Sequence, residues 1–468
     1  MRDDIKRRIE QIRRGEVPEG YKRIGGRIFP ESWSLNKIKD FAKTKSGKTP
    51  DRDRHSEFYQ GGNLNWFKTG ELLTKYLSNS EEKITPKALA LCGMPVFPKR
   101  SIILAMYGAT IGKASILDEN STTNQACCCI FPSSSYDTEY IFYQITFNRE
   151  AFVKISAGAA QPNINQSLVQ NFCLPLCETN EQNRIAEILS TCDRVIDLKK
   201  KLIEDKKKVK KWLMQTLLTG MIRVKDIENG TPYEELKKRI EQIRRGKVPQ
   251  GYDRNGILGI IPEEWQVFQM SRIISTLTDF VANGSFASLR ANVKYLRKQD
   301  YAVLLRLEDH SNDYKGEFVY VDMYSYQFLR KSVLKPGDII IANVGARCGF
   351  VFRAPSLKLP MTLGPNAILL RTNQDDYWVY YFLSSSIGQS QLSQIKGTSA
   401  QPKFNKTDFR SLSICLPEIA EQIRIAEILS TADTEIDLLN KDLEQWELKK
   451  KSLMQLLLTG IVRVNAEN

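Results

Sequence analysis

The sequence predicts an α/β (α+β) protein with two similar globular domains separated by a pair of long antiparallel coiled-coil helices, pseudo-two-fold symmetric. Residues 181–191 and 421–431 differ at one position of eleven, at an offset of 240. Two further matches pair residues 217–224 with 457–464, and residues 6–21 with 237–252. A period this long indicates a duplication of whole domains rather than a stacked solenoid.

Between the repeated phrases the two copies diverge almost completely, so each copy joins a repeated frame to a private insert. We assign the chain in order as an N-terminal segment at 1–32, the first insert at 33–176, a central region with one long helix at 177–264, the second insert at 265–417 and a C-terminal region with the other long helix at 418–468. With 42% hydrophobic residues, each insert is large enough to form its own core.

The frame predicts two long helices, because residues 181–218 contain no Pro or Gly and the second copy repeats the pattern. In the first helix we assign the packing seam to Ile188, Val195, Leu198, Leu202, Val209 and Trp212. In the second helix we assign it to Leu429, Ala432, Ile436, Leu439, Leu443, Trp446, Leu453 and Leu457. Gly220 and Gly460 stand where helix stops are expected. Roughly 38 residues make about 57 Å of helix, and two related stripes most simply bury each other; the alternative is that each stripe packs on its own insert.

The inserts predict mixed α/β domains with one shared fold. Short apolar runs fit buried strands at 101–106 and 126–131 in the first insert, and at 338–342 and 367–370 in the second. A glycine pair follows the first run of each insert at the same spacing, and each insert closes on a Gln-Pro element, Gln161-Pro162 or Gln401-Pro402. We interpret the two Gln-Pro elements as structural turns.

The composition favours a polyanionic partner. The formal net charge is +14 and the pI about 9.2, which suits phosphate contacts and counterion release. The sequence has no apolar run of eighteen residues and its N-terminus is charged and helical in pattern, so we expect a cytoplasmic protein without membrane contact. Nine cysteines, three of them adjacent at 127–129, predict reduced core thiols rather than disulfides.

Catalytic signals are weak. The stretch Gly108 to Lys113 resembles a phosphate-binding loop, but three residues instead of four separate its glycines and Ala114 follows the lysine. His55 and His310 are the only histidines and are expected on the surface, so neither a metal site nor a His-based triad has enough material. We predict a chain that is not an enzyme.

Several motifs together resemble the specificity subunit of type I restriction-modification systems. They are the EQ-x-RIAEIL phrase, the Leu-Leu-Thr-Gly ending with its basic tail, the Pro-x-x-Trp openings at Pro30 and Pro262, and the half-chain duplication. The resemblance covers essentially the whole chain. Residues 46–50, with Trp66 and the following Thr-Gly-Glu-Leu, also resemble a recurring opening of that family's target recognition domains, whereas the second insert opens differently at 278–286.

The resemblance implies that each insert is a target recognition domain that reads one half of a bipartite, asymmetric site on double-stranded DNA. It also implies that the helices dock two methylation subunits, and that two ATP-driven restriction subunits can join. This chain would bind no cofactor: S-adenosylmethionine belongs to the methylation subunits, and ATP and Mg to the restriction subunits.

DNA contacts are predicted by residue type on glycine-rich or polar loops, where Arg, Lys, Asn, Gln and aromatic side chains meet bases and phosphates. In the first insert we name Lys45, Ser46, Lys48, Thr49, Trp66, Lys68, Tyr107 and Lys113; in the second we name Asn283, Ser285, Arg290, Asn292, Lys294, Asn343 and Arg347. The lysine-rich run at 199–211 either faces phosphates or another subunit, or forms the solvated face of the coiled coil.

Two other functions stay open at this point. One is a coiled-coil scaffold that organises partner proteins without reading DNA sequence. The other is an unrecognised nuclease or NTPase, for which Glu447 and Lys449 are the nearest approach to a metal-nuclease pair. If the helices set the gap between half-sites, four extra residues after Lys211 and after Lys451 should widen it by one or two base pairs, since they add about 6 Å.

Overall fold

The computed structural model describes residues 3–156, 163–397 and 401–464. The chain divides into two compact units: Met1–Lys201 with Lys441–Asn468 in the first, and Leu202–Asn440 in the second. Both division points fall inside a long helix. Each unit therefore contains the start of one long helix and the end of the other.

The first unit is a mixed α/β structure. Its strands are β1 (Tyr21–Ile24), β2 (Arg27–Pro30), β3 (Ser34–Lys37), β4 (Thr44–Ser46), β5 (Leu64–Phe67), β6 (Tyr76–Leu77), β7 (Lys83–Ile84), β8 (Ile102–Ala105), β9 (Ala114–Leu117), β10 (Thr122–Thr123), β11 (Cys127–Ile130) and β12 (Cys173–Leu176). Its helices are α1 (Asp3–Arg13), α2 (Ile38–Phe41), α3 (His55–Phe58), α4 (Pro86–Leu91), α5 (Thr138–Phe147), α6 (Arg149–Ser156), α7 (Gln166–Asn171) and the first part of α8 (Thr179–Leu217). The predicted strands at 101–106 and 126–131 are confirmed as β8 and β11, which are fully buried.

The second unit has a corresponding set of elements. Its strands are β13 (Tyr252–Asn255), β14 (Gly259–Pro262), β15 (Gln266–Gln269), β16 (Ile274–Asp279), β17 (Ala302–Leu305), β18 (Val319–Val321), β19 (Val333–Leu334), β20 (Ile339–Ala342), β21 (Val351–Arg353), β22 (Met361–Leu363), β23 (Ala367–Thr372) and β24 (Ser413–Leu416). Its helices are α9 (Val224–Glu228), α10 (Tyr233–Arg244), α11 (Phe286–Asn292), α12 (Leu307–Ser311), α13 (Met323–Phe328), α14 (Asp376–Ser384), α15 (Ser386–Gln394), α16 (Lys406–Arg410) and the first part of α17 (Ile419–Leu458). The other two predicted strands are confirmed as β20 and β23.

The two inserts share a sheet topology. The first insert has a sheet in the order β4-β11-β8-β9-β6 and a second sheet β10-β5-β7, and the second insert repeats them as β16-β23-β20-β21 and β22-β17-β18. Within the described residues, each insert has one edge strand that the other lacks. In the first insert β6 lies beside β9 in the five-stranded sheet, whereas in the second insert β19 lies beside β22 in the sheet that contains β17 and β18. The predicted α/β fold with two similar domains is confirmed, although the inserts have little sequence in common.

The repeated frame makes the same contacts in each unit. In the first unit Glu181 accepts hydrogen bonds from the indole of Trp33, at 3.1 Å, and from Arg463, at 2.7 and 2.9 Å. In the second unit Glu421 accepts from Trp265, at 3.2 Å, and from Arg223, at 2.8 and 2.7 Å. The side chains of Glu181 and Glu421 are 5% and 12% exposed, and a carboxylate this well buried needs such hydrogen bonding to offset the loss of water.

The helix stops predicted at Gly220 and Gly460 are also confirmed. Both residues have positive φ, +69° and +68°, a conformation that favours glycine over residues with a Cβ. The carbonyl oxygen of Gly460 accepts from the hydroxyl of Tyr21 at 2.8 Å, and that of Gly220 accepts from Tyr252 at 2.6 Å. Each long helix therefore ends against the hairpin that opens an insert.

The long helices run antiparallel where they meet within each unit. Lys199 pairs with Asp442 and Lys200 with Glu447 in the first unit, and Lys206 pairs with Glu435 and Lys210 with Asp433 in the second. The lysine-rich run at 199–211 thus contributes four ion pairs between helices. This arrangement supports the coiled-coil interpretation of the run over contact with phosphates.

The predicted seam of α17 is confirmed in part, but that of α8 is wrong. Leu429, Ile436 and Leu457 are buried as expected, and the other five residues predicted for α17 are half-buried. In α8 the predicted residues are exposed or half-buried, Leu198 being 67% and Val209 51% exposed. The buried positions of α8 are instead Ile185, Leu189, Cys192, Ile196, Ile203 and Leu217. Since Leu189 and Leu457 belong to the core of the first insert, the ends of the helices also pack on the inserts, as the alternative proposed.

Smaller predictions have mixed outcomes. All nine cysteines are free and seven are buried, but Cys173 is exposed and Cys92 is half-buried, so the core assignment fails for these two. Gln161-Pro162 lies outside the described residues, whereas Pro402 O accepts a hydrogen bond from Gly345 N at 2.9 Å beside the isolated bridge between Val344 and Lys403, rather than in a turn. Within the described ranges, no helix combines the length and the apolarity that crossing a bilayer requires.

Candidate nucleic-acid interface

One edge of the main sheet collects most of the predicted residues of the first unit. Strand β4 is antiparallel to β11, with Ser46 opposite Cys128, and β11 is antiparallel to β8, with Cys127 opposite Ala105. The end of β4, the start of β11 and the end of β8 therefore meet at one edge. The loops that leave this edge hold residues 47–50, 107–113 and 124–126.

The loop that follows β4 is fixed by backbone hydrogen bonds. Gly47 N donates to Cys127 O at 3.2 Å, and Lys48 N donates to Thr123 O at 3.0 Å. The indole of Trp66 donates to Lys48 O at 2.9 Å from a ring that is 1% exposed. Trp66 therefore supports the loop from inside the core and offers no surface to a ligand.

The remaining predicted side chains of the first unit surround this edge in different states. Lys45 and Tyr107 are exposed, and Lys113 is half-buried. The hydroxyl of Ser46 donates a hydrogen bond to the side-chain oxygen of Gln166 at 3.1 Å, and the ammonium of Lys48 donates one to Cys92 O at 3.2 Å. The hydroxyl of Thr49 donates one to the side-chain oxygen of Gln125. Lys48 and Thr49 are exposed too, but unlike Lys45 and Tyr107 they are held by these hydrogen bonds.

Lys68 is engaged in an ion-pair network instead. Its ammonium lies 2.9 Å from Glu82 and 3.3 Å from Glu81. Hydrogen bonds from Arg52 and then from Lys68 hold the pKa of Glu82 at about 2, so this carboxylate stays charged near neutral pH and neutralises its partners. Phosphate would have to compete with these carboxylates for Lys68.

The corresponding edge of the second unit borders a cavity. Strand β16 ends at Asp279, opposite Ile368 near the start of β23, and β20 ends at Ala342, opposite Ala367. Beyond the edge lies a cavity of about 680 Å³. It is lined by Asp279, Phe280, Val281, Phe286, Leu289, Arg290, Val293, Tyr295, Asn343, Val344, Pro365, Asn366 and Ala367. Two predicted residues, Arg290 and Asn343, are among them.

Two of the predicted asparagines of the second unit are used within the fold. Asn283 donates to Phe280 O at 3.0 Å and to Ser332 at 2.8 Å, and it accepts from Lys331 N at 3.0 Å. Asn292 donates to Ser288 O at 2.8 Å and accepts from Tyr324 at 2.9 Å. Their amides hold loops in place and have little capacity left for bases.

The other predicted residues of the second unit lie on its surface. Ser285 is exposed and caps α11 by accepting from Ser288 N at 3.2 Å. Arg290 and Lys294 are exposed, and Arg347 is exposed while donating to Ser311. The structure thus brings Arg290 and Asn343 together at one cavity, with Ser285 and Lys294 flanking α11.

The sequence prediction missed residues of the same edge. Asn124 and Gln125 lie three and two residues before β11 in the first unit, and Asn366 lies directly before β23 in the second, with φ of +67°. Phe286 is 82% exposed and Tyr295 is 56% exposed at the cavity. An Asn or Gln within three residues before a buried strand was the available signal, since it places an amide near the sheet edge.

Each insert is fixed to the two long helices by a repeated trio of side chains, which we call the latch. In the first unit Asp193 accepts from the hydroxyl of Tyr143 at 2.5 Å and pairs with Lys450. In the second unit Asp433 accepts from Tyr381 at 2.7 Å and pairs with Lys210. Burial, followed by the neighbouring aspartate, raises the pKa of both phenols, so they remain hydrogen-bond donors.

The histidines differ from the surface placement that was predicted for both. His55 is exposed, whereas His310 is half-buried, stacks on Phe352 at 4.8 Å between ring centroids, and lies 2.9 Å from the hydroxyl of Tyr314. Burial lowers the pKa of His310. The surface prediction is therefore wrong for His310, which packs as an aromatic core residue.

A family model described as the type I restriction modification DNA specificity domain matches residues 30–205 and again residues 262–448. These matches cover well over half of the chain. The chain belongs to this family. It is a specificity subunit, a class of non-catalytic protein, and recognition of a DNA target follows from the family. The resemblance found in the sequence is confirmed.

Other specificity subunits resemble the chain along much of its length. The MjaVIII specificity subunit of Methanocaldococcus jannaschii is 26% identical over 96% of this chain and 97% of that protein. The EcoKI specificity subunit of Escherichia coli K12 is 26% identical over 44% of each chain. The solved S subunit from M. genitalium superposes with a TM-score of 0.53 at 14% identity, covering 91% of this chain and 96% of that one, which shows a shared fold.

Proposed function

We propose that each unit of this specificity subunit reads one half of a bipartite, asymmetric DNA target. The observation that carries the proposal is the contrast between the two sheet edges. In the first unit the edge carries the loop supported by Trp66, with Lys45 and Tyr107 exposed, whereas in the second it carries α11 and a cavity. Equivalent positions with different chemistry are expected to read different bases.

The partners in this proposal are two methylation subunits, docked on the long helices, with two restriction subunits able to join. Support comes from the type I family itself and from a structural neighbour, a chain from a structure concerned with complex assembly and conformational transition of the type I R-M system. That chain superposes with a TM-score of 0.51 at 13% identity over 93% of this chain and 99% of its own.

The proposed complex methylates adenine-N6 in DNA and, with restriction subunits, cleaves DNA in an ATP-dependent manner. S-adenosylmethionine would bind the methylation subunits, and ATP with Mg the restriction subunits. The role of this chain is to bind the target and to position the partners in the cytoplasm. The proposed DNA readers are residues 33–176 and 265–417, with the frame segments at 1–32, 177–264 and 418–468.

The test is adenine methylation mapped across the genome by single-molecule sequencing. Cells expressing this chain with its methylation subunit should show a split motif with two unlike halves, and deletion of this chain should abolish it. The matched control is the same methylation subunit with a different specificity chain, which shows that the enzyme is active. If the control cells show a methylated motif and the cells with this chain show none, the recognition role is rejected and a scaffold is favoured.

A further inference from the structure

One residue that lines the cavity of the second unit, Asn343, carries a buried polar atom that lacks a partner. This atom is its Oδ1, which makes no hydrogen bond among the described residues. A buried acceptor left unpaired destabilises the folded state. A ligand in the cavity that brings a hydrogen-bond donor would recover this loss when the amide of Asn343 turns its Oδ1 towards the ligand.

The charges around the cavity suit a nucleic acid. Asp279 is the one carboxylate among the residues that line it, and it is already neutralised: it pairs with Lys406 at 2.9 Å and accepts from Ala282 N at 2.8 Å. Arg290, also in the lining, is exposed. The cavity therefore combines a shielded acidic group with a free basic rim, which favours a phosphate nearby.

The walls suit a flat aromatic ligand. Phe286 and Tyr295 are 82% and 56% exposed, whereas Phe280 and Leu289 form a buried wall. Exposed aromatic rings beside a concave apolar surface are typical of sites that stack bases. The cavity, at about 680 Å³, has ample room for one nucleobase.

We propose, resting on the proposed function, that this cavity receives one nucleobase of the second half-site, whose exocyclic amino group donates a hydrogen bond to Oδ1 of Asn343. Adenine, cytosine and guanine each carry an exocyclic amino group, whereas thymine carries none. Because a shielded group in a cavity is reached only by a group that enters it, the base leaves the stack when it binds. Asn343 is then a specificity-determining residue of the second unit.

The test uses the full chain in complex with its methylation subunit and the duplex target found by methylation mapping. Each adenine of the second half-site is replaced in turn by purine, each cytosine by 2-pyrimidinone and each guanine by hypoxanthine, so that a single amino group is removed. Removing the amino group that Asn343 binds should weaken binding by about tenfold or more, which is the size of a good base contact. With Asn343→Leu, the same replacement at that one position should make no difference.

The first half-site is the internal control for folding and assembly, because Asn343→Leu should leave its base preferences unchanged. Asn343→Ser keeps an acceptor and should restore part of the discrimination. 2-Aminopurine placed beside the identified position should brighten on binding, as its neighbour leaves the stack. A variant that discriminates like the unsubstituted chain, or 2-aminopurine that stays dark, overturns the inference. Absence of any methylated split motif would instead reject the proposed function itself.

Discussion

A polar or aromatic side chain near the sheet edges of this protein either stabilises a loop through internal contacts or remains available to contact DNA. Trp66 and Asn283 are residue types that favour base contact, yet the structure buries one and saturates the other with internal hydrogen bonds. Residue type and loop chemistry identify where a reader is, but they do not reveal which polar atoms the fold itself consumes. That information resides in partners far along the chain, such as Lys331 for Asn283.

Glu139 illustrates a residue whose charge stabilises the fold. Burial alone would raise its pKa, but hydrogen bonds from Lys75, Ser190 and Tyr76 outweigh burial and lower the pKa to about 2. A carboxyl with a lowered pKa stabilises the folded state above its ordinary pKa, and this contribution is lost as the pH falls towards 2. We therefore expect Glu139→Gln to reduce the free energy of unfolding by on the order of 2 kcal/mol at pH 7, and by less at pH 3.

Urea unfolding of the two proteins at both pH values measures this difference. Exposed Glu119 supplies the matched control, Glu119→Gln, whose small effect should be the same at both pH values. A gap between Glu139→Gln and the unsubstituted chain that stays constant with pH would contradict the assignment.

At the scale of elements, the latch connects a helix of each insert to both long helices. Tyr381→Phe removes the hydroxyl that donates to Asp433, a bond to a charged group worth about 1.5–3 kcal/mol. We expect Tyr381→Phe to accelerate amide hydrogen exchange in α14 and to leave exchange in α5 unchanged. Tyr143→Phe is the matched variant in the first unit and should do the reverse. Equal acceleration in both helices from either variant would show that the latches do not act locally.

The extent of the long helices could be predicted from the sequence, but the face of α8 that is buried could not. None of the residues predicted for the seam of α17 is exposed, whereas α8 exposes the predicted Leu198 and buries Cys192. The repeat contained the answer: subtracting 240 from the buried positions Leu429, Ile436 and Leu457 gives Leu189, Ile196 and Leu217, all buried. Apolar size was thus a poorer guide in α8 than the register of its own second copy.

The register of the helices also determines where a spacer can be lengthened. Lys199 faces Asp442 in the first unit and Lys206 faces Glu435 in the second, and the residue numbers of both pairs have the same sum, so insertions after Lys201 and after Asn440 fall at matched positions of one register. Insertions after Lys211 and Lys451 do not face each other and would shift every ion pair between them. Seven residues inserted at the matched positions keep the seam aligned and add about 10 Å, so the preferred gap between half-sites should widen by about three base pairs.

Methylation mapping of cells with the double insertion measures the gap. The half-site sequences themselves should stay the same. Insertion into one helix alone is the control and should abolish methylation, because it breaks the register. An unchanged gap in the double insertion would mean that helix length does not set the spacing.

For the whole molecule, the repeated frame contacts and the different inserts predict that exchanging one insert changes the DNA sequence recognised by that insert alone. The frame contacts of Glu421 with Trp265 and Arg223 recur in the first unit, whereas the sheet edges differ. Replacing residues 265–417 by the insert of another specificity subunit should therefore change one half-site and leave the other. The reciprocal replacement of 33–176 should change only the opposite half. Changes in both halves after either exchange would contradict independent reading.

Whole-molecule architecture was the best predicted level, because duplication is visible directly in the letters. The two similar domains and the two long helices followed from the repeat, four buried strands followed from apolar runs, and the family followed from its motifs. The cavity beside Asn343 did not, since it forms from residues between 279 and 367 that only the fold brings together.

The latches have one more property, which concerns ancestry. Asp193 contacts Lys450 and Asp433 contacts Lys210, so each contact occurs twice with the two helices exchanging roles. This reciprocity is the rule of an isologous interface between identical chains. A single half-length chain, such as residues 233–468, carries Asp433 and Lys450 and hence both sides of that interface. Two copies of it would meet as a homodimer with identical readers, and its target would be a palindrome.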